Sequence, residues 1–132
     1  MVRWSFTQFI NKAVAGEDIV LKSEGTQFFS YTYVADAVNA LLYIAINGET
    51  GVPYNISNEA CNVRLRDFAD YCAGCSGKKV VFELPSEVER KGYSVASYAI
   101  LDNSRLVSIG WVPKYTMKDA IQRTVTMLYE DS

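Results

Sequence analysis

The first regular signal along the chain is helical. Phe6, Phe9, Ile10, Ala13 and Val14 return every three or four positions, and Gly16 stands where such a helix would stop. The spacing predicts an amphipathic helix over 5–15, with Ser5 as its cap. Two runs rich in β-branched and aromatic residues follow, DIVLK at 18–22 and QFFSYTYV at 27–34, and Ser23-Glu24-Gly25 between them reads as a turn joining two strands. Helical spacing resumes over 34–47, where Val34, Val38, Leu41, Leu42 and Ala45 share a side and Asn47-Gly48 marks the end. This helix is apolar around much of its circumference. VPYNI at 52–56 has the length of a strand, although Pro53 argues against a fully hydrogen-bonded central position.

Asn62 is positioned to cap a helix whose buried face is Leu65, Phe68, Ala69 and Cys72, ended by Ser76-Gly77. KKVVFEL at 78–84 reads as a strand, Pro85 as a break, and 86–92 as a short polar helix or loop. The stretch 93–101 has no decisive pattern. From Asp102, DNSRLVSIGW predicts a short helix closed by Gly110. After a loop, Thr116 caps a last amphipathic helix with Met117, Ala120, Ile121, Thr124, Val125 and Leu128 as its buried stripe. Several helices interleaved with short strands predict a mixed α/β or α+β fold, organised as a single domain over 1–132.

Composition narrows the function classes. The chain has 132 residues, of which 49% are hydrophobic, enough for one modest core. A formal charge of −2 offers no basic field for a nucleic-acid backbone, so nucleic acid is not an expected partner. The apolar run at 40–46 is far shorter than the roughly 20 residues of a membrane helix. The N-terminus lacks a signal-peptide pattern, so no membrane partner is expected and the expected location is cytoplasmic. Three cysteines do not close a disulfide framework. The chain contains no histidine, which removes the commonest general base and metal ligand together.

Four segments follow one another in an informative order: GTQFFSYTYVADAV (25–38), VPYNISNE (52–59), LRDFA (65–69) and LDNSRLVSIGWVPKYTMKDAIQRTV (101–125). The combination G-x-Q…Y-V-x-D, Y-N-I and D-x-S-x-L…G-W-x-P resembles the NAD-dependent epimerase/dehydratase family, the extended short-chain dehydrogenases that include UDP-glucose 4-epimerases. The likeness runs from about Phe6 to Leu128. It implies the C-terminal, substrate-binding part of such an enzyme, without the Rossmann half. The family's G-x-x-G-x-x-G loop has no counterpart here, and no tyrosine is followed four residues later by lysine, so the catalytic Y-x-x-x-K pair is absent and the chain is expected to begin just after it. By this resemblance the chain is catalytically inactive alone and holds no cofactor, NAD belonging to the full-length parent, and its ligand is a nucleotide-sugar.

The resemblance also nominates residues. Arg90, in R-K-G-Y, matches the family's arginine that reaches the nucleotide diphosphate, a task suited to a planar guanidinium fork. Val20 and Lys22 match a strand that borders the base, and an ordinary strand with one solvated lysine is the competing reading. The family's second phosphate arginine falls at Phe29, which neither donates a hydrogen bond nor offsets phosphate charge. Asp36 matches an aspartate at a helix start, expected to accept from backbone N–H groups and complement the helix dipole. Asn55 is expected to hydrogen-bond at a turn or strand end. The alternating aromatics Phe28, Phe29, Tyr31 and Tyr33 stack on a base or, as an ordinary strand, form core and rim. Cys72-Ala73-Gly74-Cys75 is a C-x-x-C, but it falls at a predicted helix C-terminus, where the dipole does not favour a thiolate, and no second ligand pair exists for zinc. Core packing of Cys72 and a surface thiol at Cys75 are expected instead. A non-catalytic ligand-binding or interaction module derived from the family is the alternative function. In the family the helix from Val34 and the Y-N-I strand pack against the cofactor domain, so self-association through their exposed apolar faces is expected here.

Overall fold

A computed structural model describes residues 3–83, 86–87 and 97–132, with side chains from Phe6 onward. Its elements run α1 (Arg3–Ala15), β1 (Ile19–Leu21), β2 (Phe28–Ser30), α2 (Val34–Asn47), a 3₁₀ turn (Glu59–Cys61), β3 (Asn62–Arg64), α3 (Leu65–Cys75), β4 (Val80–Phe82), β5 (Tyr98–Ala99), α4 (Ser104–Ser108) and α5 (Met117–Glu130). The expected mixture of helices and short strands is therefore present. The first helix begins two residues before the expected start, so Ser5 lies inside it and is not its cap.

The strands form two small sheets. β1 pairs in parallel with β4, with Ile19 opposite Val80 and Leu21 opposite Phe82. β2 lies between an antiparallel β3 (Phe28 opposite Arg64) and a parallel β5 (Phe28 opposite Tyr98). β1 and β2 do not pair with each other, contrary to the simplest reading of Ser23-Glu24-Gly25 as a turn between two strands. The reason lies in Gly25. Its φ of 66° is in the left-handed region. A Cβ there would meet Leu21 Cδ2 at 2.6 Å and the Cβ and N of Arg66 at 2.8 and 2.9 Å. The turn is pressed onto the start of α3 instead of closing a hairpin.

That contact also replaces the expected cap. Asn62 belongs to β3, and α3 starts after Arg64 with no side-chain cap bond. Two of the helix's first amides are satisfied by carbonyls of the docked turn: Leu65 N donates to Gln27 O at 2.9 Å and Arg66 N to Gly25 O at 3.0 Å. The G-x-Q element thus serves α3 through its backbone. Residues 52–56 differ from expectation too. They join neither sheet, and are held by Asn55 Nδ2 donating to Asp102 O (3.0 Å) and Arg105 Nη1 donating to Pro53 O (2.9 Å).

The main core gathers α1, α3 and α5 over β1 and β3, with Phe9, Ile19, Leu65, Phe68, Ile121 and Val125 buried. Phe6 meets Tyr31 and Phe68 edge-on at 4.7 and 5.0 Å between centroids. In α5 the expected stripe is buried at Met117, Ala120, Ile121 and Val125, half-buried at Thr124 and exposed at Leu128. Thr116 and Asp119 form a reciprocal capping box at its start. A second cluster joins α2 to α4 through Ala40, Leu106 and Trp111. There Trp111 Nε1 donates to Asn39 Oδ1 (3.1 Å) and Tyr43 OH to Ile109 O (2.7 Å). The G-W of the last motif is accordingly a packing device.

Candidate functional site

Of the expected ligand residues, Val20 and Lys22 lie at the end of β1. Val20 is half-buried in that strand and Lys22, just beyond it, is exposed. Next to them, the Arg66 guanidinium lies over the Phe82 ring, 5.4 Å from its centroid. Glu83 N donates to Leu21 O, and Phe28 N donates to Ser97 O, each at 2.9 Å. The chain on both sides of 84–96 is therefore anchored to β1 and β2, at the Gly25 turn. Arg90 itself, like most of the expected helix or loop at 86–92, lies outside the described residues.

Phe29 sits half-buried in the centre of the three-stranded sheet, between Val63 and Ala99. Its ring meets Tyr31 at 6.5 Å and 90°. Where the resemblance places a cation, the sheet holds an aromatic contact. Tyr31 continues into an apolar groove of about 250 Å³ between α1, α3 and α5. Its hydroxyl is buried without a hydrogen-bond partner, and burial raises its pKa above the ordinary phenol value.

Asp36 is 2% exposed. Its carboxylate accepts from Lys114 N at 2.9 Å and Tyr115 N at 3.2 Å. It accepts backbone N–H groups as expected, but those of the loop before α5, so it ties α2 to the far end of the chain. Asn55 also makes a structural bond, to Asp102 O. The cysteines separate as their positions in α3 suggest. Cys72 is buried, and desolvation pushes its thiol up to about 12. Cys75 is exposed at the last residue of the helix, and partial burial raises its pKa while Lys118 opposes the shift. Cys61, buried near Asp36, is pushed up to about 11. Among the described residues no three His, Cys, Asp or Glu converge on a metal position.

A larger cleft, about 500 Å³, opens on the outer face of β2, β3 and α3. Phe28, Asn62, Arg64, Asp67, Asp70 and Tyr71 line it. None of these except Phe28 figured as a candidate in the sequence. The signal was present in two periods: Asn62 and Arg64 are alternate strand positions, and Asp67, Asp70 and Tyr71 recur at helical spacing opposite the buried face of α3.

The described residues contain no glycine-rich turn of the kind that holds a dinucleotide. The left-handed glycines Gly16, Gly77 and Gly110 follow helices, and Gly25 and Gly51 lie in turns. None among the described residues opens a helix after a strand, where a pyrophosphate would meet free N–H groups. The first amides of α3 that a phosphate would use are already bonded to Gln27 and Gly25.

The apolar face of α2 is the remaining notable surface. Val34, Val38, Leu41, Leu42 and Ile46 are between 50% and 82% exposed. The helix carries an apolar stripe that nothing in the described chain covers.

Comparison with known proteins places these features. The family profile described as the NAD dependent epimerase/dehydratase family matches residues 3–57, a span that includes the Gly25 turn, β2 and α2. Over those residues the chain is similar to that family. A dTDP-glucose 4,6-dehydratase of Xanthomonas campestris is 28% identical over 88% of this chain and 35% of its own length. The low-salt glycan biosynthesis protein Agl12 of Haloferax volcanii is 27% identical over 89% of this chain and 37% of its own. The chain therefore spans about a third of the length of these curated relatives. Among solved structures, dTDP-glucose 4,6-dehydratase from Bacillus anthracis, in complex with NAD, superposes with a TM-score of 0.78 at 16% identity, over 98% of this chain and 40% of that one. UDP-glucose 4-epimerase from Thermotoga maritima, solved with UDP-glucose, gives 0.75 at 22% identity, over 96% and 39%. At these identities the structures establish the fold. No described helix is long and apolar enough to cross a membrane.

Proposed function

We propose that this chain forms the nucleotide-sugar side of the cleft of an NAD-dependent epimerase/dehydratase and is inactive by itself. The cofactor and the catalytic tyrosine and lysine then belong to protein outside these residues. The observation that carries the reading is the fold match along nearly the whole chain to proteins about two and a half times its span, at 39–40% coverage of each. In this reading Arg90 contacts the diphosphate, and Val20 and Lys22 border the base. The apolar stripe of α2 is the face that meets the cofactor half, and in its absence a second copy covers it.

Calorimetric titration with UDP- and dTDP-sugars tests this. Weak binding that disappears in Arg90→Ala supports it, whereas NAD binding or turnover by the 132-residue chain alone contradicts it. Phe29 favours a second reading, a non-catalytic interaction module, because its ring packs against Tyr31 where a phosphate-binding cation is expected. That reading expects no heat with any nucleotide-sugar.

A further inference from the structure

The cleft on β2, β3 and α3 carries a chemistry that neither Arg90 nor the β1 edge shares. We propose that it is a binding site for a neutral saccharide. Three properties of the lining lead there. First, it presents one guanidinium, Arg64, and two carboxylates, Asp67 and Asp70, with no ion pair joining them among the described residues. With both signs side by side, neither a simple anion nor a simple cation is matched by all three groups, whereas an uncharged ligand rich in hydroxyls can use each of them as a strong donor or acceptor. A sugar ring offers several hydroxyls, each able to donate to a carboxylate and accept from a guanidinium.

Second, the amide of Asn62 is half committed. Ser30 Oγ donates to its Oδ1 at 2.8 Å, which fixes the side chain and leaves the NH₂ without a partner among the described residues. Third, the cleft has aromatic walls. Phe28 and Tyr71 line it, and the exposed Tyr98 packs beside Phe28 at 5.9 Å between ring centroids. Aromatic faces suit the apolar C–H face of a pyranose, while the polar groups take its edges. The site needs no nucleotide, so it stands independently of the reading above.

The experiment is an amide-detected NMR titration of the whole chain with D-glucose, repeated with glucose 6-phosphate and with tri-lysine. Saturable shifts with glucose at Asn62, Arg64, Asp67, Asp70 and Tyr71 are expected, with affinity at least tenfold weaker in Asp70→Ala and in Arg64→Ala. Both side chains are exposed, so the variants keep the fold, and unchanged dispersion of core resonances such as Trp111 Nε1 verifies it. No saturable shift with glucose overturns the proposal. So does tri-lysine or glucose 6-phosphate binding in glucose's place, or unaltered glucose affinity in both variants. The two readings fail separately: this one is read from glucose shifts at Asn62, Arg64, Asp67, Asp70 and Tyr71, the other from the heat of the UDP- and dTDP-sugar titration.

Discussion

Removing the carboxylate of Asp36 should destabilise the chain more than any other single polar deletion at the α2 end. The group is 2% exposed and accepts two backbone N–H bonds, from Lys114 and Tyr115. In Asp36→Ala both part-buried amides lose a nearly enclosed acceptor, so the cost of an unsatisfied buried donor is an upper bound for each. An unsatisfied buried donor costs about 1–3 kcal/mol, so the pair amounts to at most about 2–6 kcal/mol. Loss of a negative charge from the first turn of α2 adds about 0.3–1 kcal/mol. Against a total stability of about 5–15 kcal/mol this is a large fraction. Asp36→Asn keeps one acceptor oxygen but turns an NH₂ toward the other amide, so about half the loss is expected. Urea denaturation gives the global effect, and hydrogen exchange at the Lys114 and Tyr115 amides reports the two bonds directly. An Asp36→Ala loss below about 1 kcal/mol, or equal losses for Ala and Asn, would show that the loop does not depend on this carboxylate.

Three further outcomes follow from the same structure. Gly25→Ala should lose at least about 2 kcal/mol in denaturant melts, because it adds overlap with Leu21 and Arg66 to left-handed strain; Gly16→Ala, equally left-handed but with open space around it, should lose about 1 kcal/mol. Stability should fall in alkali: Cys72 and Cys61 ionise near their ordinary value of 9.0 when unfolded but only near 12 and 11 when folded. Above pH 9 the unfolded chain therefore binds fewer protons than the folded one, and each thiol removes about 1.4 kcal/mol per pH unit until its folded pKa is passed. Thermal melts from pH 7 to 10.5 check the sign, and melts that rise with pH would refute it. Leu41→Glu with Leu42→Glu, both on the exposed stripe of α2, should convert any self-associated species to monomer in sedimentation velocity without lowering stability by more than about 0.5 kcal/mol. Unchanged association would place the contact elsewhere.

The sequence by itself determined where α1, α3 and α5 run and which sides of them are buried. Spacing alone located the buried faces of α3 and α5, the Thr116 cap and the stop at Gly110, because a helix meets its surroundings through a periodic stripe and closes through local residues. Ordered motifs along the chain also carried the resemblance to a family whose profile matches residues 3–57. Strand partnership was not legible: β1 pairs with β4, some sixty residues on, and β2 with β3 and β5, choices that depend on which apolar faces meet and not on neighbouring residues. For the same reason Asn62 looked like a cap, since nothing local reveals that the carbonyls of Gly25 and Gln27 arrive at the first amides of α3. The cleft between β3 and α3 likewise exists only once a strand period and a helix period are brought edge to edge. Whether α2 buries its stripe was also a tertiary matter: the amino acids specify an apolar face, and only the folded arrangement leaves that face uncovered.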